Sequence, residues 1–283
     1  MKKLKSNLVM ACVAISISIG TQASADPIVY GDIAGEQLTY KGITENSTTD
    51  PFPDNPSELF TGLYGTPSSL GDSLLFNVPS FAALAINGPA VDITDGFLTF
   101  ELSADEGMML NNLYVEEFGS INTHSPLGGT DLTNVGVVSP IFLDVRQIVV
   151  DDGTIGGRVV DVDNPVTISG LSLDITPMPG SDGVYGYATN PDVISWVAET
   201  NIDLVAELIA SRPDIDDMYP VLGIKTAQFS MNNTMTASAE DVFATAFIDK
   251  KQVTINPTVI PVPEPMLPML VLLLPLALFG RRR

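Results

Sequence analysis

The residues able to do chemistry are few, and their spacing limits what they could do. His124 is the single histidine, set in Asn122-Thr123-His124-Ser125-Pro126-Leu127-Gly128-Gly129, which reads as loop. Serine, histidine and aspartate are all present, but no Gly-x-Ser-x-Gly elbow exposes a nucleophile. Cys12 is the single cysteine, so there is neither a disulfide pair nor a Cys/His zinc set. Carboxylates are numerous enough for glycosidase chemistry, which needs two acids converging in a cleft about 5 to 9 Å apart. Glu116-Glu117 is an adjacent pair, but strand neighbours point to opposite faces and cannot share one substrate. No catalytic residue is assigned.

Three acidic turns, Asp151-Asp152-Gly153, Asp161-Val162-Asp163-Asn164 and Asp214-Ile215-Asp216-Asp217, resemble fragments of calcium loops. Calcium takes six to eight oxygens, and each fragment offers two or three without the glycine and distal glutamate of an EF-hand. Asp161, Asp163, Asp214, Asp216 and Asp217 are candidate calcium ligands, set against the simpler reading of solvated turn acids. No glycine loop suited to phosphate is present. Calcium is the one candidate ion and no cofactor is expected.

The elements that must position these groups read as mainly β. Gly31-Asp32, Asn87-Gly88-Pro89, Asp95-Gly96, Asp152-Gly153, Pro179-Gly180 and Asp182-Gly183 punctuate short apolar runs. Leu98, Phe100 and Leu102 alternate; so do Leu171, Leu173 and Ile175, and Val242, Ala244, Ala246 and Ile248. The run Val135 to Val150 divides near Pro140. This pattern predicts a β-sandwich over 26–259, with a long Pro/Ser/Asp-rich loop over 44–69. One amphipathic helix is predicted over 190–212, entered at Asn190-Pro191 and stopped at Arg212-Pro213. It would carry Trp196 in the core and Glu199, Asp203 and Glu207 on its solvated face.

Both ends read as targeting segments. Basic Met1-Lys2-Lys3-Leu4-Lys5, an apolar stretch from Asn7 to Gly20, and the small-x-small site Ala23-Ser24-Ala25 make residues 1–25 a signal peptide, cut by signal peptidase before Asp26. The stretch before Cys12 is too short for a lipoprotein signal. At the other end, Pro263-Glu264-Pro265 precedes an apolar run from Met266 to Phe279, then Gly280 and Arg281-Arg282-Arg283. As a helix, that run spans only ~21 Å against ~30 Å of hydrocarbon, and Pro268 and Pro275 interrupt it. It suits a temporary hold on the inner membrane, with the arginines as a cytoplasmic stop.

Residues 260–283 resemble the PEP-CTERM sorting signal of Gram-negative bacteria in all three parts and their order. The resemblance implies an exosortase as processing partner, cleavage near Pro263-Glu264-Pro265, and a place in the exopolysaccharide of a biofilm matrix. It covers about a tenth of the chain. A looser likeness to the closing hairpin of such ectodomains lies in Asn232 to Glu240 and Ala246 to Lys251.

The whole chain carries 13 basic and 34 acidic residues, for a net charge of −21. Without its ends it keeps seven basic and, Glu264 being lost with the tail, 33 acidic residues, so the body is near −26. Such a surface repels nucleic acid and anionic lipid. The leading expectation is a non-enzymatic protein of the cell surface or extracellular matrix. A carbohydrate-binding module is the first alternative, favoured if Tyr64, Tyr114, Tyr185 and Tyr187 form a flat cluster. A polysaccharide hydrolase is the second.

Overall fold

The computed structural model describes residues 27–49, 62–125, 132–153, 157–176, 184–186, 193–217 and 219–263. Alternation of apolar and polar residues makes nearly all of it strand. In chain order these are β1 (Ile28–Ala34), β2 (Leu38–Asn46), β3 (Pro67–Leu70), β4 (Ser73–Asn77), β5 (Ala82–Ile86), β6 (Ala90–Ala104), β7 (Met108–His124), β8 (Asn134–Val138), β9 (Ile141–Val150), β10 (Arg158–Leu171), β11 (Asp174–Thr176), β12 (Val184–Gly186), β13 (Ile194–Asp203), β14 (Val221–Ala239) and β15 (Thr245–Pro261). Among the described residues, a single α-helix, α1 (Leu204–Ser211), and a 3-10 turn (Pro213–Asp216) precede β14.

Every ladder is antiparallel, and the strands form two facing arms. In the first, β1, β2, β6 and β14 are successive neighbours, and β8 and β9 lie end to end along the far edge of β14. In the second, β13, β7 and β15 are neighbours, with β5 and β4 end to end along β15. The expected sandwich pictures two separate sheets. Here β7 joins the arms: near its start Leu110 pairs with Ile224 of β14 along one edge and with Val259 of β15 along the other. The result is one sheet bent into a flattened, nearly closed barrel. Strands of 15 to 19 residues are long enough to belong to both arms, and closure covers edges that would otherwise invite pairing with other chains.

The core fills from both arms. Tyr40 packs edge-on to Phe100 at 5.5 Å, and Phe100 stacks on Phe229 at 4.7 Å. Tyr64 packs edge-on to Phe76 and Phe81 at 5.9 and 5.2 Å. Each such ring contributes roughly 1.5–3 kcal/mol by leaving water. The predicted break near Pro140 is present between β8 and β9, and Leu98, Phe100 and Leu102 share the buried face of β6. The Val242 alternation is not borne out. Val242 is exposed in the turn before β15, whereas Ala244, Ala246 and Ile248 are buried. Among the described residues, no helix is long and apolar enough to cross a membrane.

The helix predicted over 190–212 needs correction. Residues 194–203 are β13, paired with β7 from Ile194↔Ile121 to Asp203↔Asn112, and only Leu204–Ser211 is helical. Val193, Ile194, Trp196, Val197, Thr200 and Ile202 are β-branched or aromatic, and they satisfy a period of two as well as one of 3.6. The free edge of β7 decides between them: Trp196, Ala198 and Ile202 turn inward, and Trp196 Nε1 donates to Asp249 O at 2.9 Å. Asp203 caps the short helix, accepting from Ala206 N at 3.0 Å, and the chain leaves it at Arg212-Pro213 as predicted. Glu199, Asp203 and Glu207 therefore line no common helix face. Of the 44–69 loop, residues 50–61 lie outside the described part, while its ends belong to β2 and β3.

Candidate functional site

Two of the acidic turns meet. Asp161 and Asp163 on β10 and Asp214 in the 3-10 turn line one groove of about 290 Å³, floored by Ile148, Val150, Val162 and Ile215. Two arginines enter it as well. Arg212 Nε lies 3.4 Å from Asp214 Oδ1, and its Nη1 donates to Asp163 O at 3.3 Å. Arg158 sits 5.2 Å over the Tyr219 ring and 3.6 Å from Asp152. Asp161 accepts from Gln147 Nε2 at 2.8 Å, and Asp216 accepts from Val221 N at 2.6 Å. Arg212, bonded to Asp214 and to the Asp163 carbonyl, thus ties the turn to the strand. Among the described residues, no group of three or more His, Cys, Asp or Glu side chains is placed to hold a metal.

A second surface is the outer face of the first arm. Phe97 on β6 and Phe142 on β9 are exposed, at 39% and 37%. They flank the outward polar ladder of β14, where Asn232 pairs Phe97 and Ser230 pairs Phe142. Neighbouring strands are ~4.8 Å apart and the two positions are offset by two residues (~7 Å) along β14, so their Cα atoms stand roughly 12 Å apart across the sheet. A recess of about 250 Å³ opens beside Phe97, bordered by Asn46, Ser47, Thr48, Asp95 and Asn232. Asp95 accepts from the backbone N of Thr48 and Thr49 at 2.9 and 2.7 Å and from their hydroxyls at 2.8 and 2.6 Å. Burial raises its carboxyl, but these bonds outweigh that and hold it below the usual range.

The densest polar grouping is interior. Glu117 on β7, Asn233 on β14 and Lys250 on β15 are buried and meet between the arms. Lys250 Nζ donates to Glu117 Oε1 at 2.6 Å, and Asn233 Nδ2 donates to the same oxygen at 2.7 Å. Asn233 Nδ2 also donates to Tyr64 Oη at 2.8 Å, and Tyr64 donates to Gly96 O at 3.1 Å. Ser139, at the break between β8 and β9, lies 2.9 Å from Glu117 Oε2 and donates to Asn233 Oδ1. Phe81 and Tyr64 cover Lys250, its Nζ being 4.8 and 5.6 Å from the ring centres. Gly96 leaves the room: a Cβ there would stand 2.4 Å from Phe81. Burial pushes the Lys250 ammonium down to about 8, against the pull of Glu117, and holds the Tyr64 hydroxyl well above its usual range. Nearby, a second buried carboxylate, Glu45, accepts from Tyr30 Oη and Leu63 N, each at 2.5 Å. Burial raises it.

Sequence reasoning separated Glu116 from Glu117 correctly. Glu116 faces outward and accepts from Tyr114 Oη at 2.8 Å, and Glu117 faces inward. It missed the interior cluster, whose signal was a lysine, an asparagine and a glutamate at inward positions of apolar strands. Tyr64 and Tyr185 are buried, so they form no exposed cluster with Tyr114; Tyr187 lies outside the described residues. His124 ends β7, exposed, opposite Thr245. Pro263 is exposed, whereas Ala23, Ala25, Glu264, Pro265 and Arg281, Arg282 and Arg283 lie outside the described residues.

No known family profile and no curated protein matches the chain. Among solved structures, the enzymatically active domain of tailspike protein 4 of bacteriophage CBA120 aligns at 10% identity with a TM-score of 0.19, over 78% of this chain and 19% of that one. The chain thus spans about a fifth of the tailspike's length. Basic winged bean lectin, solved with Tn-antigen, aligns at 11% identity with a TM-score of 0.21, over 65% of this chain and 98% of the lectin. At these scores neither likeness carries an argument about this chain.

Proposed function

We propose that this chain is an exported, non-catalytic protein of the bacterial cell surface or extracellular matrix, delivered through processing of its Pro263-Glu264-Pro265 tail by an exosortase. One observation carries the reading. The folded body closes immediately before the motif: Pro261 of β15 still pairs with Met108, and Val262 N donates to Gly107 O at 2.8 Å. Cleavage at the motif would leave every ladder intact, and the exposure of Pro263 supports access to the motif. The polar groups support a non-catalytic role, since those in the interior are bonded to one another, and in the groove Asp161 is held by Gln147 and Asp214 by Arg212. The test is intact mass and cell fractionation of the native protein beside a form with Pro263, Glu264 and Pro265 changed to alanine. Loss of both end segments, delivery to the outer surface or matrix, and failure of both in the altered form are expected. A native protein that keeps Arg281 to Arg283 in the inner membrane overturns the proposal.

A second reading, contact with matrix polysaccharide, is favoured by the exposed Phe97 and Phe142 beside the β14 hydroxyl and amide ladder. Flat rings cover the apolar faces of sugars while neighbouring polar groups meet their hydroxyls. Retention on the producing organism's exopolysaccharide should fall at least tenfold in the Phe97→Ala/Phe142→Ala form. Equal retention removes this reading and leaves the sorting proposal untouched.

A further inference from the structure

We propose that Lys250 and Asn233 become joined by an intramolecular amide bond between Lys250 Nζ and Asn233 Cγ, formed with loss of ammonia and with Glu117 as proton carrier. The reacting groups are already gathered. Lys250 Nζ and Asn233 Nδ2 both bond Glu117 Oε1, at 2.6 and 2.7 Å, which puts them within about 5 Å of each other. Glu117 and Lys250 side chains are both 0% exposed, and the Phe81 and Tyr64 rings cover the amine. Water is thereby kept from the product, and the reactants are held as an intramolecular pair of high effective concentration.

The hydrogen-bond pattern also fits the required protonation. Ser139 has one hydroxyl proton and two acceptors beside it, Asn233 Oδ1 and Glu117 Oε2. With the Lys250 proton moved to Glu117 Oε2, that oxygen donates to Ser139, and Ser139 donates to the Asn233 carbonyl. Glu117 Oε1 then accepts from the neutral amine and the amide nitrogen, and no buried charge is left. Burial favours the neutral amine, holding the Lys250 ammonium to about 8.

The step balances without a co-reactant. The lone pair of Nζ attacks Cγ, whose carbonyl is polarised by the Ser139 hydroxyl. Glu117 Oε1, which both nitrogens bond, relays one proton from Nζ to the amide nitrogen, while Oε2 keeps its own. The Cγ–Nδ2 bond breaks, ammonia leaves, and Glu117 ends as it stood before attack. The product ties β14 to β15, and so one arm of the barrel to the other. It would serve a chain whose one cysteine, Cys12, leaves no disulfide to do so. The inference stands independently of how the chain is sorted.

Proteolysis reads it directly, because Glu240 and Asp241 lie between the two residues. The full-length gene product, purified from the cells that make it, is digested under denaturing conditions at acidic residues. The expected result is one species holding the Asn233 and Lys250 peptides together, about 17 Da lighter than their sum. The Lys250→Arg and Glu117→Ala forms should yield two separate peptides. Two separate, unmodified peptides from the unaltered protein overturn the proposal. So does a loss of about 17 Da confined to the Asn233 peptide, which marks a succinimide instead. The unaltered protein decides by itself even where a variant does not fold.

Discussion

The interior cluster at Glu117 and the groove beside Tyr219 use the same components in opposite settings. Each sets cations against carboxylates and a ring: Lys250, Glu117 and Phe81 inside, and Arg212 with Asp214 beside Arg158 over Tyr219 outside. Inside, the cation and carboxylate are 2.6 Å apart and fully buried, so removing either leaves the other without water or counter-charge. Outside, the pair is 3.4 Å apart with Asp214 67% exposed, so water replaces whichever partner is lost. The components are similar; the cost of breaking a contact is not.

The widest test of that contrast is Lys250→Met. It strands Glu117 and should lower unfolding free energy by about 3–5 kcal/mol, whereas Glu117→Leu/Lys250→Met together should recover much of the loss. Chemical denaturation of the three forms gives the comparison. A double variant no better than the single one would mean that the cluster acts through something other than uncompensated charge, and the covalent link is the candidate.

Next in size is Asn233→Ala, which keeps the ion pair but removes the acceptor of the proposed link. An unbroken cross-link across this interval would stabilise by about 3 kcal/mol through loop closure, by analogy with a disulfide. Its pH profile separates linked from unlinked protein. A free Lys250 is held down to about 8 from an ordinary 10.5, so its contribution is present above 10.5 and lost as pH falls through 8. Stability of Asn233→Ala should therefore rise between about pH 8 and 10. A linked Lys250 does not titrate, and the native protein should lack that rise. Lys225, also held down by burial, contributes to both forms, so the difference between the profiles is the readout.

What was legible in the sequence follows the same division between local and non-local. The alternation in Phe97 to Leu102, the break at Pro140 and the stop at Arg212-Pro213 are local patterns, and each appears where the pattern puts it. Residues 194–203 failed because β-branched spacing fits two periods, and the deciding partner, the edge of β7, lies some 80 positions earlier. The acidic turns were visible, but not that 161–163 and 214 share a groove with Arg158 and Arg212, because the β9–β10 hairpin and the 3-10 turn come together only in the fold. The interior cluster was least legible. Its members stand on three strands, 116 or more residues separating Glu117 from either partner, and each looks like an ordinary polar residue in its own segment.

A smaller effect is expected at Asp203→Ala. The carboxylate accepts from Ala206 N at the start of α1, and its loss should cost about 1 kcal/mol. The helix borders the strand that sequence reasoning misread, so the variant also probes that junction. Hydrogen exchange should quicken in Leu204–Ser211 and stay slow in Ile194–Asp203, whose amides belong to the β7 ladder. Equal quickening in both would join strand and helix into one cooperative unit.

The smallest change is reserved for Arg212→Ala. The guanidinium bonds Asp214 at 3.4 Å and Asp163 O at 3.3 Å, and both contacts lie at the surface. Their loss should cost no more than about 1 kcal/mol, and this cost should shrink in molar salt as the Debye length falls to ~3 Å. The same salt should leave the cost of Lys250→Met nearly unchanged, because no ion reaches a pair with 0% exposure. Denaturation of both variants at low and high salt therefore compares the two regions on one scale. If Arg212→Ala kept a large cost in molar salt, the groove would be holding its 3-10 turn through packing of the arginine stem over Ile215 and Val162 rather than through charge. The surface half of the contrast would then rest on apolar contact, while the interior half would still rest on desolvation.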